Sequence, residues 1–140
     1  MICKAVDANL RSVVLVKRST NVDSPFLLCE SYLDGVYQKH NCSSGWLPRL
    51  TRQTPQAFSH FTFCVTRGDM MVVDLQGVGD VYTDPVVLTR DGQGFGMGNI
   101  GQKGMDNFFA SHRCNNLCMQ LGLTPVFGPL DIAPSLTPTK

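Results

Sequence analysis

Met70-Met71-Val72-Val73-Asp74-Leu75-Gln76-Gly77-Val78-Gly79-Asp80, with Tyr82-Thr83-Asp84-Pro85 close behind, is the stretch on which the reading of this chain turns. Four apolar residues read as a buried strand, and its end delivers a carboxylate and an amide two positions apart. Strand alternation then points Asp74 and Gln76 the same way and sends Leu75 into the core. A second carboxylate follows at Asp84. Such a group can hold a divalent cation on phosphates and orient a hydroxyl nucleophile. The plainer alternative is a polar strand end, with Asp84 capping the turn before Pro85.

Downstream, the segment from Leu88 to Gly104 is too glycine-rich for either regular state. Gly98, Gly101 and Gly104 would let backbone approach a phosphate or an extended peptide, but no Lys-Ser/Thr pair follows, so this is not a P-loop. Met105, Phe108 and Phe109 have helical spacing up to His112, and a second short helix from Asn115 closes at Leu121-Gly122. Cys114 and Cys118, four apart, share one helix face, with His112 just upstream. A structural zinc ion needs a fourth ligand. Of the remaining histidines, His60 lies on an amphipathic helix that must pack, whereas His40 abuts a polar turn. The alternative is two buried cysteines and a surface histidine with no ion. Four closed ligands leave no position for water, so such an ion would be structural.

Upstream, Val13 to Val16 reads as a buried strand, Asn21 to Pro25 as a turn, and Phe26 to Glu30 and Val36 to His40 as two more strands. These three are expected to form a small antiparallel sheet, followed by the polar turn Asn41-Cys42-Ser43-Ser44-Gly45. Thr54-Pro55 predicts a helix start, with threonine as cap and proline as first residue. Ala57, Phe58, Phe61 and Cys64 fall on one face of that helix, with His60 at the edge, where its plain reading is a core-edge histidine. Past Leu123 the prolines predict an extended or frayed end.

Composition limits the alternatives. The 140 residues are 43% hydrophobic and 16% charged with a net charge of +1, which excludes disorder and an electrostatic grip on nucleic acid. No apolar run approaches the roughly 20 residues of a membrane span, and the first seven residues do not read as a signal peptide. The six cysteines are unevenly spread, and a reducing, cytoplasmic setting is expected.

Read together, Thr54-Pro55-Gln56-Ala57-Phe58-Ser59-His60-Phe61-Thr62, Val72-Val73-Asp74-Leu75-Gln76-Gly77-Val78-Gly79, Tyr82-Thr83-Asp84-Pro85, Gly98-Asn99-Ile100-Gly101, and Phe108-Phe109 through His112, Cys114-Asn115 and Cys118 resemble the alpha-kinases, atypical protein serine/threonine kinases. The elongation factor 2 kinase branch looks nearest, and the resemblance covers roughly Phe26 to Leu123. It implies an α+β, protein-kinase-like C-terminal lobe with structural zinc, using ATP and magnesium on a protein substrate. Asp74 matches the catalytic aspartate, Gln76 a metal-coordinating glutamine, and Asp84 the second essential aspartate, also placed at magnesium. Glu30 matches the glutamate that contacts adenine. His60, His112, Cys114 and Cys118 match the zinc set, and Gly98 to Gly104 the glycine-rich segment that positions substrate.

Two departures shape the expectation. Ser43 stands near the phosphates where the family usually carries asparagine. The lysine that holds the ATP phosphates lies far upstream in the family, and neither Lys4 nor Lys17 is placed to replace it. The chain is therefore expected to comprise an inter-lobe remnant (1–24), the C-terminal lobe (25–123) and a proline-rich tail (124–140), and to be inactive alone. A non-catalytic pseudokinase remnant, kept as a zinc-stabilised interaction module, is the competing expectation.

Overall fold

The computed structural model describes residues 7–8, 14–17 and 26–126. Its strands are β1 (Asp7–Ala8), β2 (Val14–Lys17), β3 (Phe26–Cys29), β4 (Tyr37–Lys39), β5 (Met70–Val73), β6 (Gln76–Val78), β7 (Val81–Thr83) and β8 (Val86–Thr89). Its helices are α1 (Gln53–Val65), between β4 and β5, then α2 (Gln102–Ser111) and α3 (Asn116–Gln120) after β8.

Strand β5 is the apolar run expected from the sequence. Met71 and Val73 are fully buried on one face, as strand alternation requires. It pairs antiparallel with β8 from Met70 opposite Thr89 to Val73 opposite Val86. Helix α2 lays Met105, Phe108 and Phe109 onto this pair, which with Leu88 makes the core, and Phe63 of α1 packs at its margin. Burying side chains of this size contributes about 1.5–3 kcal/mol each. Gly104 belongs to α2 rather than to the loop before it. A Cβ there would sit 2.7 Å from Leu88, so glycine is what lets helix and strand approach.

The expected three-stranded antiparallel sheet does not form. β2 and β3 make a ribbon of their own, with Val14 opposite Cys29 and Lys17 opposite Phe26. β4 instead pairs with β6, placing Tyr37 opposite Val78 and Lys39 opposite Gln76. The tight β6–β7 hairpin leaves the β6 edge open, and β4 closes it. The resulting sheet runs β1-β7-β6-β4, with β1 parallel to β7. Gly77 allows the hairpin to close: its φ is 153°, and a Cβ would lie 2.1 Å from the Val81 carbonyl oxygen. Val13 and the expected turn at 21–25 lie outside the described residues.

Helix α1 starts before Thr54, with Arg52 as its N-cap residue. Pro55 is its third residue, where the missing N–H is still not needed. The buried side is also not the expected stripe: Gln56, Ala57, Ser59 and His60 are buried, while Phe61 is 37% exposed. The helix turns polar groups inward because a polar network receives them, described below. In α3, Asn115 caps by accepting from the backbone N–H groups of Leu117 and Cys118. The chain beyond Leu123 is anchored rather than frayed at its start, since Val126 packs against the core. Residues 127–140 lie outside the description. Among the described residues no helix is long and apolar enough to cross a membrane.

Candidate functional site

Asp74 links β5 to β6 in a left-handed conformation, φ 62°. Simple strand alternation therefore does not aim it, although Leu75 is buried as expected. An aspartate in this region costs of order 1 kcal/mol, and local structure must hold it there. Leu75 N–H donates to Asn41 Oδ1 (3.1 Å), and Asn41 Nδ2 donates to Ser59 Oγ (2.9 Å) on α1. Alongside, His40 N–H donates to the Leu75 carbonyl (2.8 Å), and Gln56 Nε2 donates to the His40 carbonyl (2.7 Å). Asn41, Ser59 and Gln56 are all buried, so this network fixes the peptide after Asp74 against both β4 and α1.

The carboxylate of Asp74 meets Lys39 Nζ at 2.9 Å. That contact is the largest influence on Lys39 and raises its pKa, with burial opposing. Gln76 opens β6 and donates through Nε2 to the Asp84 carbonyl oxygen at 3.3 Å. Asp84 is also left-handed, φ 49°. Beside it, Thr83 Oγ1 donates to the Glu30 carboxylate. Burial raises the Tyr37 pKa, and the nearby charges of Asp84 and Glu30 add to the rise. Asp74 thus meets Lys39, while Asp84 and Glu30 lie near Tyr37, two residues away on the same strand, with Gln76 bonded to the Asp84 carbonyl. Carboxylates gathered in this way suit a cation and the phosphates it carries.

Ser43 is drawn toward α2, its carbonyl accepting from Asn107 Nδ2 at 3.0 Å. The three glycines do three different things. Gly98 lies against Val86, where a Cβ would come within 3.1 Å. Gly101 caps α2 with φ 67° and passes Gly92 closely, while Gly104 makes the helix contact already described. Asn99, buried at the centre of the loop, accepts from the N–H groups of Thr89 and Gly101 and donates to the carbonyls of Gln93 and Gly94.

Beside the middle of α1, at His60, the four expected ligands converge. The ligand atoms of His60, His112, Cys114 and Cys118 lie within 4.8 Å of one another. Cys114 Sγ is 3.7 Å from His60 Nδ1, and Cys118 Sγ is 3.7 Å from His112 Nε2. Tetrahedral zinc with ordinary Zn–S and Zn–N bonds separates its ligands by about 3.3–3.8 Å, so the donor set fits. His60 Nε2 faces the Thr124 carbonyl at 3.1 Å, which leaves Nδ1 free to accept a metal. Burial, with the charges of His60 and Arg113, pushes His112 down to about 4, so it is neutral as a ligand must be. Burial raises the Cys118 thiol. His112 is not a surface residue, and its Nδ1 is buried without a hydrogen-bond partner. The cysteines at 29, 42, 64, 114 and 118 are free of disulfides.

Sequence reasoning missed Lys39, Asn41 and Asn99. Polar residues at a turn are usually exposed, and only the tertiary pairing of β4 with β6 turns Asn41 inward.

Alpha-protein kinase 1 of Dictyostelium discoideum is 50% identical over 102 residues, covering 73% of this chain and 8% of that protein. Eukaryotic elongation factor 2 kinase of Mus musculus is 45% identical over 123 residues, covering 87% of this chain and 17% of that protein. The alpha-kinase domain of myosin-II heavy chain kinase A, solved with a phosphorylated aspartate, superposes with a TM-score of 0.71 at 44% identity, over 78% of this chain and 44% of that one. An inactive variant of the same domain, complexed with ATP, gives 0.70 at 44% identity, over 76% and 43%. The chain thus spans less than half of the solved domains and under a fifth of the two full-length relatives. The sequence model of the alpha-kinase family matches residues 3–118, and on this match and these identities the chain belongs to the alpha-kinase family.

Proposed function

We propose that the edge carrying Asp74, Gln76 and Asp84 serves transfer of the γ-phosphoryl group of ATP to serine or threonine hydroxyls of a protein substrate. The observation that carries this reading is the pairing of Asp74 with Lys39, with the next peptide N–H, that of Leu75, held by the buried Asn41. Asp74 orients the attacking hydroxyl and takes its proton. Lys39 holds the carboxylate in place and offers a positive charge to the incoming phosphate oxygens. Gln76 and Asp84 hold magnesium, which when bound neutralises charge on the phosphates. Glu30, tied to Thr83, marks the adenine side, and Ser43 the phosphate side. Residues 25–123 act as the C-terminal lobe, the four His and Cys side chains hold structural zinc, and the setting is cytoplasmic.

We further propose that the 140-residue polypeptide alone transfers no phosphate. Phosphoryl transfer depends on positioning within a site closed to water, and the edge described here is one wall of such a site. The competing reading, a non-catalytic interaction module, draws support from the β2–β3 ribbon, whose apolar residues are exposed on both faces.

The test is a radiolabelled-ATP assay with magnesium on zinc-loaded protein, alone and joined to the upstream half of an alpha-kinase domain. Transfer is expected only when joined, and Asp74→Ala should abolish it. Activity of the joined protein that survives Asp74→Ala would sink the assignment.

A further inference from the structure

Cys64 is a thiol beside the His/Cys cluster that the four ligands leave unused. It follows His60 by four positions on α1, so the two side chains share one helix face a turn apart. Cys114 Sγ lies 3.7 Å from His60 Nδ1. The Thr124 backbone meets both α1 residues: its carbonyl faces His60 Nε2 at 3.1 Å, and it is hydrogen-bonded to the Cys64 thiol. Burial raises the Cys64 thiol, the Thr124 bond opposes the rise and the Cys114 charge adds to it, so the two sulfurs are electrostatic neighbours. Yet Cys64 is not among the four side chains whose ligand atoms lie within 4.8 Å of one another. It stands next to the cluster without belonging to it.

Access and backbone setting divide the three thiols. Cys64 and Cys114 are half-buried, whereas Cys118 is fully buried, so a small oxidant in solution reaches the first two before the third. Cys114 stands in the link 112–115, outside both α2 and α3. Cys118 is set inside α3, its N–H donating to Asn115 Oδ1 and its carbonyl accepting from the Leu123 N–H. Of the two cysteine ligands, Cys114 is the one whose sulfur can leave the cluster without unwinding a helix.

Resting on the zinc reading, we propose that Cys64 and Cys114 form a peroxide-sensitive pair, with Cys114 as the thiol oxidised first and Cys64 as the one that resolves it. Zinc, when bound, holds Cys114 as a thiolate, the form that attacks a peroxide. The Cys114 sulfur takes one oxygen of hydrogen peroxide to become a sulfenic acid, and the other oxygen leaves as hydroxide. The Cys64 sulfur then displaces the sulfenic oxygen, which departs as water with the thiol proton, and a Cys64–Cys114 disulfide remains. The two thiols have together given two electrons to the peroxide. A sulfur held in a disulfide no longer serves as a zinc ligand, so the cluster keeps only His60, His112 and Cys118. Oxidation and loss of the ion are thereby coupled.

The experiment treats the zinc-loaded 140-residue protein with hydrogen peroxide, follows released zinc with a chromogenic chelator, and maps disulfides by mass spectrometry after a digestion that cuts at Leu117, between Cys114 and Cys118. The Cys64–Cys114 disulfide should appear in step with zinc release, and dithiothreitol with added zinc should reverse both. Cys64→Ser should fold and take up zinc, since Cys64 is neither fully buried nor a ligand. After the same cycle it should recover at least about two-fold less zinc than the parent, because an unresolved Cys114 sulfenic acid passes on to the irreversible sulfinic acid. A principal disulfide between Cys114 and Cys118, zinc release with no disulfide, or full recovery in Cys64→Ser overturns the proposal. Metal content separates the two readings. Zinc-loaded protein that forms no Cys64–Cys114 disulfide sinks the pair and leaves the zinc reading standing, whereas that disulfide in protein that never takes up zinc sinks the zinc reading and keeps the pair.

Discussion

Two polar groups, reached from neighbouring residues of α1, are built on opposite terms. In the first, beyond Gln56 and Ser59, Asp74 and Asp84 sit in left-handed backbone on a partly open edge, beside Lys39. In the second, His60, His112 and Cys118 are buried, with Cys114 half-buried beside them, and their ligand atoms lie within 4.8 Å of one another. The first group keeps its strain and its open positions, which suit a site that admits and releases a charged ligand. The second is buried and, with an ion bound, would act as a fastening. The contrast teaches that exposure and strain, more than residue type, separate chemistry from structure in this chain.

The largest effect should come from removing the fastening. Metal analysis is expected to find one zinc per chain, and a strong chelator or Cys118→Ala should unfold the region rather than slow a reaction. Protein that keeps its full unfolding midpoint without metal would erase the contrast.

Next comes the network beneath the strained end. Asn41→Ala strips Leu75 N–H and Ser59 Oγ of their buried partner and should cost about 2–3 kcal/mol in denaturant unfolding. It should also lower phosphate transfer in the joined kinase. A loss below about 0.5 kcal/mol would mean that the network does not hold the backbone.

Acidification should act more weakly and on the buried side. Burial lowers the pKa of His40, His60 and His112 below 6.5 in the folded chain. The unfolded chain then binds more protons, so stability present above pH 6.5 is lost as pH falls through and below that value. Unfolding midpoints of chelated protein between pH 7.5 and 5 should decline accordingly, and a flat profile would contradict the burial.

The smallest effect belongs to Asp74→Ala. It relieves carboxylate crowding and removes a partly exposed ion pair worth about 0–1 kcal/mol, so stability should change by less than about 1 kcal/mol. A large loss in thermal unfolding would show Asp74 to be a structural cap.

Sequence spacing carried β5, the ends of α3 and the grouping of His112, Cys114 and Cys118, because each is local, whereas the place of His60 beside them came from the family resemblance. It misjudged which strand β4 joins, since a three-residue strand such as Tyr37–Lys39 holds too little pattern to specify its partner. It misjudged the buried face of α1 for a related reason. An inward Gln56 or Ser59 is intelligible only once the carbonyl of His40 and the amide of Asn41 are in place to meet it. The strand-end residues were legible as a motif, but Lys39 was not, because no rule of spacing links it to Asp74.

The span between His60 and Cys118 has a thermodynamic meaning of its own. It encloses about sixty residues, among them β5 to β8, both aspartates and the glycine-rich loop. An ion gripped at both ends of that span is a removable cross-link. By analogy with a disulfide closing a loop of this length, it would withhold about 4 kcal/mol of chain entropy from the unfolded state. The edge carrying Asp74 and Asp84 would then hold its shape through a knot tied beside α1 at His60, and the supply of zinc would set how often that edge comes apart.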